Sequence, residues 1–396
     1  MKVADNVYYV GVSNPTLRVF DIIMATQYGT TYNSYLVKGT EKTALIDGAH
    51  KGFEDLFLEN VENVEAVEGL KSIDYMIVNH TEPDHSGAIH LAIEHNPDIV
   101  VYGTAACLKN LDNIVRKPFN RVAVKDGDTL DLGGKTLTFC VSPNIHWPDT
   151  MMTYLAEDKI LFSCDFLGAH YAEPTNLVEK VYKHELYFQE FKVYYDAIMG
   201  PFPKFVLKAL DRVKDLDIDI VCPSHGPILT GKYVQEAMDT YRQWATPQPK
   251  EDKTVAIYYV SAYGYTRGMC QYLEQKLTEK GIVVSAFDII KTDPADIAAH
   301  LNDDCLVFGS PTLNRAALKP VLDVISCIDA VNSAKRPYAT LGDFGWSGEA
   351  CAQLNERCNS IKMKQVGESV RAQFTPTAEV YAQLDELAQQ IADTIA

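Results

Sequence analysis

Polar and apolar positions alternate in short paired runs through the first part of the chain, the signature of half-buried antiparallel strands. Residues 31–49, TYNSYLVKGTEKTALIDGA, give two such runs around a Gly-Thr turn, and residues 122–143 (VAVKDGDTLDLGGKTLTFCVSP) and 151–165 (MMTYLAEDKILFSCD) repeat the pattern. The period then lengthens to that of helices, in LYFQEFKVYYDAI (186–198) and KFVLKALDRVKDL (204–216). After TPQPKEDK, residues 246–253, strands and helices alternate strictly: TVAIYYV, GYTRGMCQYLEQKLTEKG, VVSAFDI, DPADIAAHL, CLVFGS, a helix after Leu318, RPYATLGD, SGEACAQLNERC, a strand near Met363 and TAEVYAQLDELAQQIADTI. Two prolines and a charge cluster mark the break as a domain seam. The expectation is an α/β protein of two domains, residues 1–249 with antiparallel sheets and residues 254–396 a doubly wound, five-stranded parallel sheet.

Four strands of the first domain end on a polar residue suited to metal binding. His80 follows IDYMIVN, His146 follows TFCVSPN, Asp165 ends KILFSC and His225 follows IDIVCPS. The stretch NHTEPDHSG, residues 79–87, adds Glu82, Asp84 and His85. A single strand-end histidine is ordinarily a satisfied core or surface residue. Four ligating side chains within six positions, with three more at other strand ends, make a divalent metal site the better reading. Imidazole with carboxylate suits zinc, manganese or iron, and each added oxygen ligand moves the preference away from zinc. Pro83 and the Ser-Gly that follows argue a loop here rather than a helix. His50, His90, His95, His184 and His300 read as structural or exposed, and His170, five residues after Asp165, as a residue placed to orient a ligand.

In the second domain SAYGYT, residues 261–266, lies between a strand and a helix, where the hydroxyls of Ser261 and Thr266 and the backbone of Ala262, Tyr263, Gly264 and Tyr265 suit a phosphate monoester. It is not the GxGxxG of dinucleotide binding, so a mononucleotide fits better. Two further loops follow strands of the same sheet: Ser310, Pro311, Thr312, Leu313 and Asn314 in SPTLNRA, and Gly342, Phe344, Gly345, Trp346, Ser347 and Gly348 in GDFGWSG.

The HxExDH motif resembles the HxHxDH of the metallo-β-lactamase superfamily with Glu82 in place of the second histidine. Together with the flavodoxin-like half, the IHWPDTM segment around His146 and SCDFLG around Asp165, it looks like the flavodiiron proteins, or A-type flavoproteins, over essentially the whole chain. That resemblance implies a metallo-β-lactamase-like αββα sandwich followed by a flavodoxin-like domain. It implies two non-haem irons, one held by His80, Glu82 and His146 and the other by Asp84, His85 and His225, with Asp165 bridging. It further implies FMN in the second domain and Tyr195 as a proton donor. The implied activity is reduction of dioxygen to water or of nitric oxide to nitrous oxide, protecting an anaerobe from oxidative or nitrosative stress. Electrons would come from rubredoxin or another external donor, and the assembly would be a head-to-tail homodimer or a dimer of dimers.

Composition narrows the field. With 47% hydrophobic and 22% charged residues and no apolar run of spanning length, the 396-residue chain reads as a globular protein without membrane or signal segment, expected in the cytoplasm. A formal charge of −17 opposes nucleic-acid binding. Nine cysteines without a CxxC pair offer neither a disulfide framework, a thiolate metal site nor a fused rubredoxin module, so they read as buried thiols. Two other functions compete: a zinc hydrolase with a flavodoxin appendage, against which Glu82 argues, and an FMN electron carrier with a vestigial metal site, against which the complete ligand set argues.

Overall fold

The computed structural model describes residues 1–22, 24–247 and 250–396. The expected seam at 246–253 includes Gln248 and Pro249, which lie outside the described residues. The chain divides into two compact units, Met1–Pro247 and Gln248–Ala396.

In the first unit two sheets stack face to face. One has seven strands, in the order Lys2–Ala4, Val7–Tyr9, Tyr35–Lys38, Thr43–Ile46, Tyr75–Ile77, Val100–Gly103 and Asn120–Ala123. The other has six, Thr129–Asp131, Thr136–Val141, Met151–Leu155, Ile160–Cys164, Ile220–Pro223 and Leu229–Thr230. Alternation decides the packing: Val37, Ile46 and Ile77 of the first sheet meet Phe139, Leu155 and Phe162 of the second. Helices Glu54–Glu62, Ile89–His95 and Ala105–Val115 cover the outer face of the first sheet, and His184–Tyr194, Pro203–Val213 and Lys232–Ala245 that of the second. The layers are αββα. Phe139 and Phe162 are 1% exposed, so truncating either to alanine should cost about 3–5 kcal/mol.

Two local expectations need correction. Residues 122–143 do not form one hairpin: Asn120–Ala123 pairs in parallel with Val100–Gly103 in the first sheet, while Thr129–Asp131 and Thr136–Val141 form the hairpin in the second. Pro83 does not prevent a helix either, because it begins the short helix Pro83–Ser86, where its missing N–H has no partner to lose.

Loops at one end of the sandwich carry the candidate ligands. Asp47, Asn144 and Cys164 have φ of 54°, 66° and 55°, a left-handed conformation that non-glycine residues avoid. Each stores strain of order 1–3 kcal/mol and sits beside or before a polar residue of the site.

The second unit is a parallel sheet in the order Val283–Asp288, Thr254–Tyr259, Cys305–Gly309, Pro337–Phe344, with the fifth position shared by Lys364–Gln365 and Val370–Gln373. The single strand expected near Met363 is thus two pieces, separated by a segment containing Gly367 at φ 62°. Helices Tyr265–Thr278 and Ala378–Ile395 pack on one face, and Pro294–Ala299, Lys319–Ser326 and Ala350–Ser360 on the other. The first three strands in the chain lie in the order two, one, three, so the connections diverge between Thr254–Tyr259 and Cys305–Gly309. A crevice at the carboxyl ends of strands forms at such a switch point.

Candidate metal centre and flavin site

All seven predicted ligands of the first unit come together. Asp165 stands at the centre, with Oδ2 3.7 Å from His80 Nε2 and 3.5 Å from His146 Nε2. Its other oxygen, Oδ1, lies 3.0 Å from His85 Nε2 and 3.4 Å from His225 Nε2. Glu82 joins the first group, with Oε2 3.2 Å from His80 Nε2 and 3.1 Å from His146 Nε2. Asp84 joins the second, with Oδ2 2.9 Å from His225 and Oδ1 3.4 Å from His85. One carboxylate therefore faces two clusters of two imidazoles and a carboxylate each. Ligand atoms of His80, Glu82, His85 and Asp165 lie within 4.8 Å of one another, as do those of Asp84, His85 and His225, so His85 sits where the clusters meet.

Much of this close approach is not hydrogen bonding, the His80 Nε2–Glu82 Oε2 pair being an exception. Both oxygens of Asp84, Asp165 Oδ2 and His85 Nε2 are buried without a hydrogen-bond partner, a state that buried polar atoms ordinarily avoid. Three carboxylates in such a place need positive charge, and their only ion-pair partners among the described residues are these histidines. Two divalent cations would supply that charge and engage those unpartnered atoms, so the residues present fit a dinuclear metal centre.

The electrostatics say the same. Burial alone would lower His80, His85 and His146, yet the carboxylates around them raise all three, His146 to about 10. Burial alone would raise Glu82, Asp84 and Asp165, but the histidines hold all three below the usual carboxylate range, Glu82 at about 2. Protons on imidazole thus take the place that a cation would fill. His80, Asp84, His85, Asp165 and His225 are almost fully buried, whereas the side chains of Glu82 and His146 keep 13% and 14% of their surface. The Glu82–His146 side is the open one.

Outer residues aim the ligands. His80 Nδ1 lies 3.2 Å from Asp149 Oδ1, and the other oxygen of Asp149 accepts from the Thr81 N–H (2.9 Å) and hydroxyl (2.6 Å). His225 Nδ1 donates to the Thr31 carbonyl at 2.6 Å. Both contacts turn Nε2 inward. Asp47 accepts from the Asn79 backbone and side-chain N–H groups and fixes the residue before His80. Burial pushes Asp47 up to about 6. His170 packs its ring 5.2 Å from that of His225 and shares the Thr30 hydroxyl with it, at 2.9 Å and 3.5 Å. Burial, then the neighbouring His225, push His170 down to about 3.

Sequence reasoning passed over Asp47, which directly follows a strand as Asp165 does, and Asp149, which lies in the turn just before strand Met151–Leu155. Of two adjacent tyrosines, the expected Tyr195 does not reach the ligands. Tyr195 opens a π-helical turn, Tyr195–Met199, and packs against Tyr241 and Trp244 at 4.8 Å and 4.9 Å, its hydroxyl unpaired. Tyr194 is the one whose hydroxyl donates to Asp165 Oδ1, at 3.3 Å. Neighbours on a helix face directions about 100° apart, so only one of the two reaches the site. Asp21 was missed as well; burial, then Glu82 and Asp84, raise its carboxyl above the ordinary range.

Asp149→Ala should lower iron affinity about 10- to 100-fold by freeing the His80 ring and stranding two Thr81 donors. Competition with a coloured chelator measures this, and unchanged affinity would mean that Asp149 does not orient His80.

In the second unit the three predicted loops meet at adjacent strand ends. Ser310 N–H donates to the Leu341 carbonyl (3.1 Å) and Thr312 N–H to that of Asp343 (2.8 Å). Gly342 is required where it stands, since a Cβ there would lie 1.9 Å from the Ser310 carbonyl oxygen. Gly264, at φ 94°, starts the helix Tyr265–Thr278 with open space at its Cβ position. Ser261 Oγ accepts from the N–H groups of Gly264 (3.1 Å) and Arg267 (3.2 Å), which leaves its own proton to donate. Thr266 differs from expectation: its N–H and hydroxyl both turn to Asp343. Tyr263 and Trp346 are 81% and 78% exposed, aromatic faces suited to a flat ring system, and with the phosphate-sized loop they fit a flavin mononucleotide.

Residues 30–226 match the family described as ODP family beta lactamase, and residues 257–385 match flavodoxin. The chain is 42% identical over 385 residues to the flavo-diiron protein FprA2 of Clostridium acetobutylicum, covering 96% of this chain and 95% of that one. It is 33% identical to the type A flavoprotein fprA of Rhodobacter capsulatus, covering 98% and 88%. Among solved structures it resembles the rubredoxin oxygen:oxidoreductase of Desulfovibrio gigas (TM-score 0.72, 28% identity, 100% and 98% covered) and the flavodiiron protein of Giardia intestinalis (TM-score 0.68, 26%, 100% and 98%). Similarity of this extent, over both units and with both sites assembled, makes the chain a member of the flavodiiron protein family, built from a metallo-β-lactamase-like unit for two irons and a flavodoxin unit for FMN.

Proposed function

We propose that the protein is an oxidoreductase that takes electrons from an external donor through FMN to a diiron centre and there reduces dioxygen to water or nitric oxide to nitrous oxide. The observation that supports it most is the division of Asp165 between two ligand clusters, Oδ2 toward His80 and His146 and Oδ1 toward His85 and His225. In this reading His80, Glu82 and His146 would hold one iron and Asp84, His85 and His225 the other, with Asp165 placed to serve both. When bound, the pair of irons supplies two adjacent one-electron donors to a diatomic oxidant, and FMN accepts electrons in pairs or singly.

The chain's own residues set the conditions. His80, Asp84, His85 and Asp165 are buried while Glu82 and His146 are partly exposed, so the Glu82–His146 side is the one a small neutral gas would meet first. Both reductions consume protons. Tyr194, whose hydroxyl burial and then Asp165 push up, donates a hydrogen bond to Asp165 Oδ1, a position that favours it over Tyr195 as the group placed to relay a proton. Asp149 and Thr31 fix the two histidines they touch. Ser261 and the turn at Gly264 would hold the flavin phosphate, with Trp346 and Tyr263 beside the ring.

A solved neighbour is named as a rubredoxin oxygen:oxidoreductase, which supports rubredoxin as donor and oxygen as a substrate. A head-to-tail homodimer is part of the same reading. No helix among the described residues is long and apolar enough to cross a membrane.

Metal and flavin analysis of protein purified without oxygen, followed by turnover of each gas with reduced rubredoxin, tests the proposal. About two irons and one FMN per chain with turnover of at least one gas is the expected result. Zinc without iron, with no gas consumed, would replace it with the hydrolase reading.

A further inference from the structure

Each of the three loops at the flavin end of the second unit has small or exposed residues, yet one buried aspartate joins them through its side chain and its backbone. Asp343 is 7% exposed and is the penultimate residue of strand Pro337–Phe344, where the third flavin loop begins. Its Oδ1 accepts from the Thr266 backbone N–H at 3.0 Å and from the Thr266 hydroxyl. Its own N–H approaches Thr266 Oγ1 at 3.4 Å, and its carbonyl accepts from Thr312 N–H at 2.8 Å. The backbone of Asp343 is also in register with Ala372 in the neighbouring strand, so the residue cannot shift without disturbing the sheet.

Thr266 is fully buried and is the second residue of helix Tyr265–Thr278. The N–H groups of a first helical turn have no partners within the helix and need acceptors from outside. Ser261 takes those of Gly264 and Arg267, and Asp343 takes that of Thr266. Without Asp343 the buried Thr266 donors would be unpaired, and the turn would have reason to rotate toward water. Asp343 thus takes both donors of Thr266.

We infer that Asp343 is a positioning residue for the phosphate of FMN: it clasps Thr266 and so holds the first turn of the helix in register with the other two flavin loops. This rests on the FMN reading above. The clasp carries a second consequence of opposite sign. A carboxylate beneath the cradle repels a phosphate dianion, so the same residue that shapes the site also weakens it through charge. The two effects separate by substitution. Asp343→Asn keeps an oxygen acceptor for Thr266 and removes the charge, whereas Asp343→Ala removes both.

Full-length protein stripped of flavin is titrated with FMN and, separately, with riboflavin, which lacks the phosphate, and flavin fluorescence gives each affinity. Asp343→Ala should weaken FMN about 10- to 100-fold, while Asp343→Asn should bind FMN as tightly as the unaltered protein or up to about 10-fold more tightly. Riboflavin affinity should change less than about threefold in either variant. Equal loss of FMN and riboflavin in Asp343→Ala would overturn the inference, as would unchanged FMN affinity, or an Asp343→Asn variant as weak as Asp343→Ala. Should Asp343→Ala not fold, Thr266→Val removes the hydroxyl at nearly constant shape: weaker FMN with unchanged riboflavin supports the clasp, and any other pattern overturns it. Failure of the unaltered protein to bind FMN would sink the underlying flavin reading instead.

Discussion

Asp165→Ala is expected to abolish reduction of either gas while FMN stays bound. The side chain is the one carboxylate whose two oxygens face both clusters, so its loss opens both metal positions at once. Changing an outer partner of a metal ligand already costs about 10- to 100-fold, and a ligand shared by two ions should cost more than that. Glu82→Ala makes the contrast, because Glu82 faces only His80 and His146. That variant should retain one iron of the two and lose turnover, whereas Asp165→Ala should lose both. The fold should survive each change. In Asp165→Ala the Tyr194 hydroxyl loses its acceptor, a cost of about 1–3 kcal/mol, while a buried negative charge disappears. Anaerobic metal analysis, flavin absorbance and an oxygen electrode provide the readout. Oxygen consumption at the rate of the unaltered protein in both variants would end the diiron assignment.

How much of this was legible in the sequence depends on which physical rule each feature obeys. Strand ends were legible because apolar runs stop sharply at His80, Asp165 and His225, and a polar residue after a buried strand has nowhere to go but the end of the sheet. The αββα layering followed from resemblance more than from pattern, since Asn120–Ala123, exposed at all four positions, has no alternation to assign it to a sheet. Its parallel pairing with Val100–Gly103 is a long-range choice that residues 122–143 do not contain. Pro83 misled for a definite reason: proline breaks a helix from inside but begins one well, and sequence does not say which residue is first. The Tyr194–Tyr195 pair is decided at the same scale. A rotation of one residue decides which ring meets Asp165, and the helix His184–Tyr194 passes into a π turn at that point, where the usual periodicity no longer holds. Asp149 and Asp343 were each quoted within a motif yet given no part, because their roles are to hold another side chain, and a spacing pattern does not reveal a hydrogen bond between His80 and Asp149 or between Thr266 and Asp343.

Adding ferrous iron to metal-free protein without oxygen is expected to release protons and to stabilise the first unit, increasingly so as pH rises. The metal-free site already neutralises its carboxylates, but with protons: His85 is held well above the ordinary histidine value of 6.5, and His146 stands at about 10. A metal needs neutral imidazole, so each ion must displace those protons, and its apparent affinity falls as pH falls. The sign follows for stability too. Because His146 is raised from 6.5 to about 10, its contribution to the metal-free fold is complete below 6.5 and disappears as pH climbs toward 10. Glu82, lowered from 4.5 to about 2, keeps its contribution across that whole window. Metal-free protein therefore weakens from pH 6.5 upward while competition by protons for the iron relaxes, and the difference between the two forms grows. At free iron about a thousandfold above Kd the gain is about 4 kcal/mol. For a unit the size of Met1–Pro247 that corresponds to a rise in Tm of about 10 °C. Titration calorimetry in two buffers of different ionisation heat counts the protons, and thermal melts at pH 6.5 and 9 give the stabilisation. Heats that do not depend on the buffer, with a Tm shift that is the same at both pH values, would show that iron does not replace the protons on His85 and His146, and the carboxylate cage around Asp165 would then have to be satisfied in some other way.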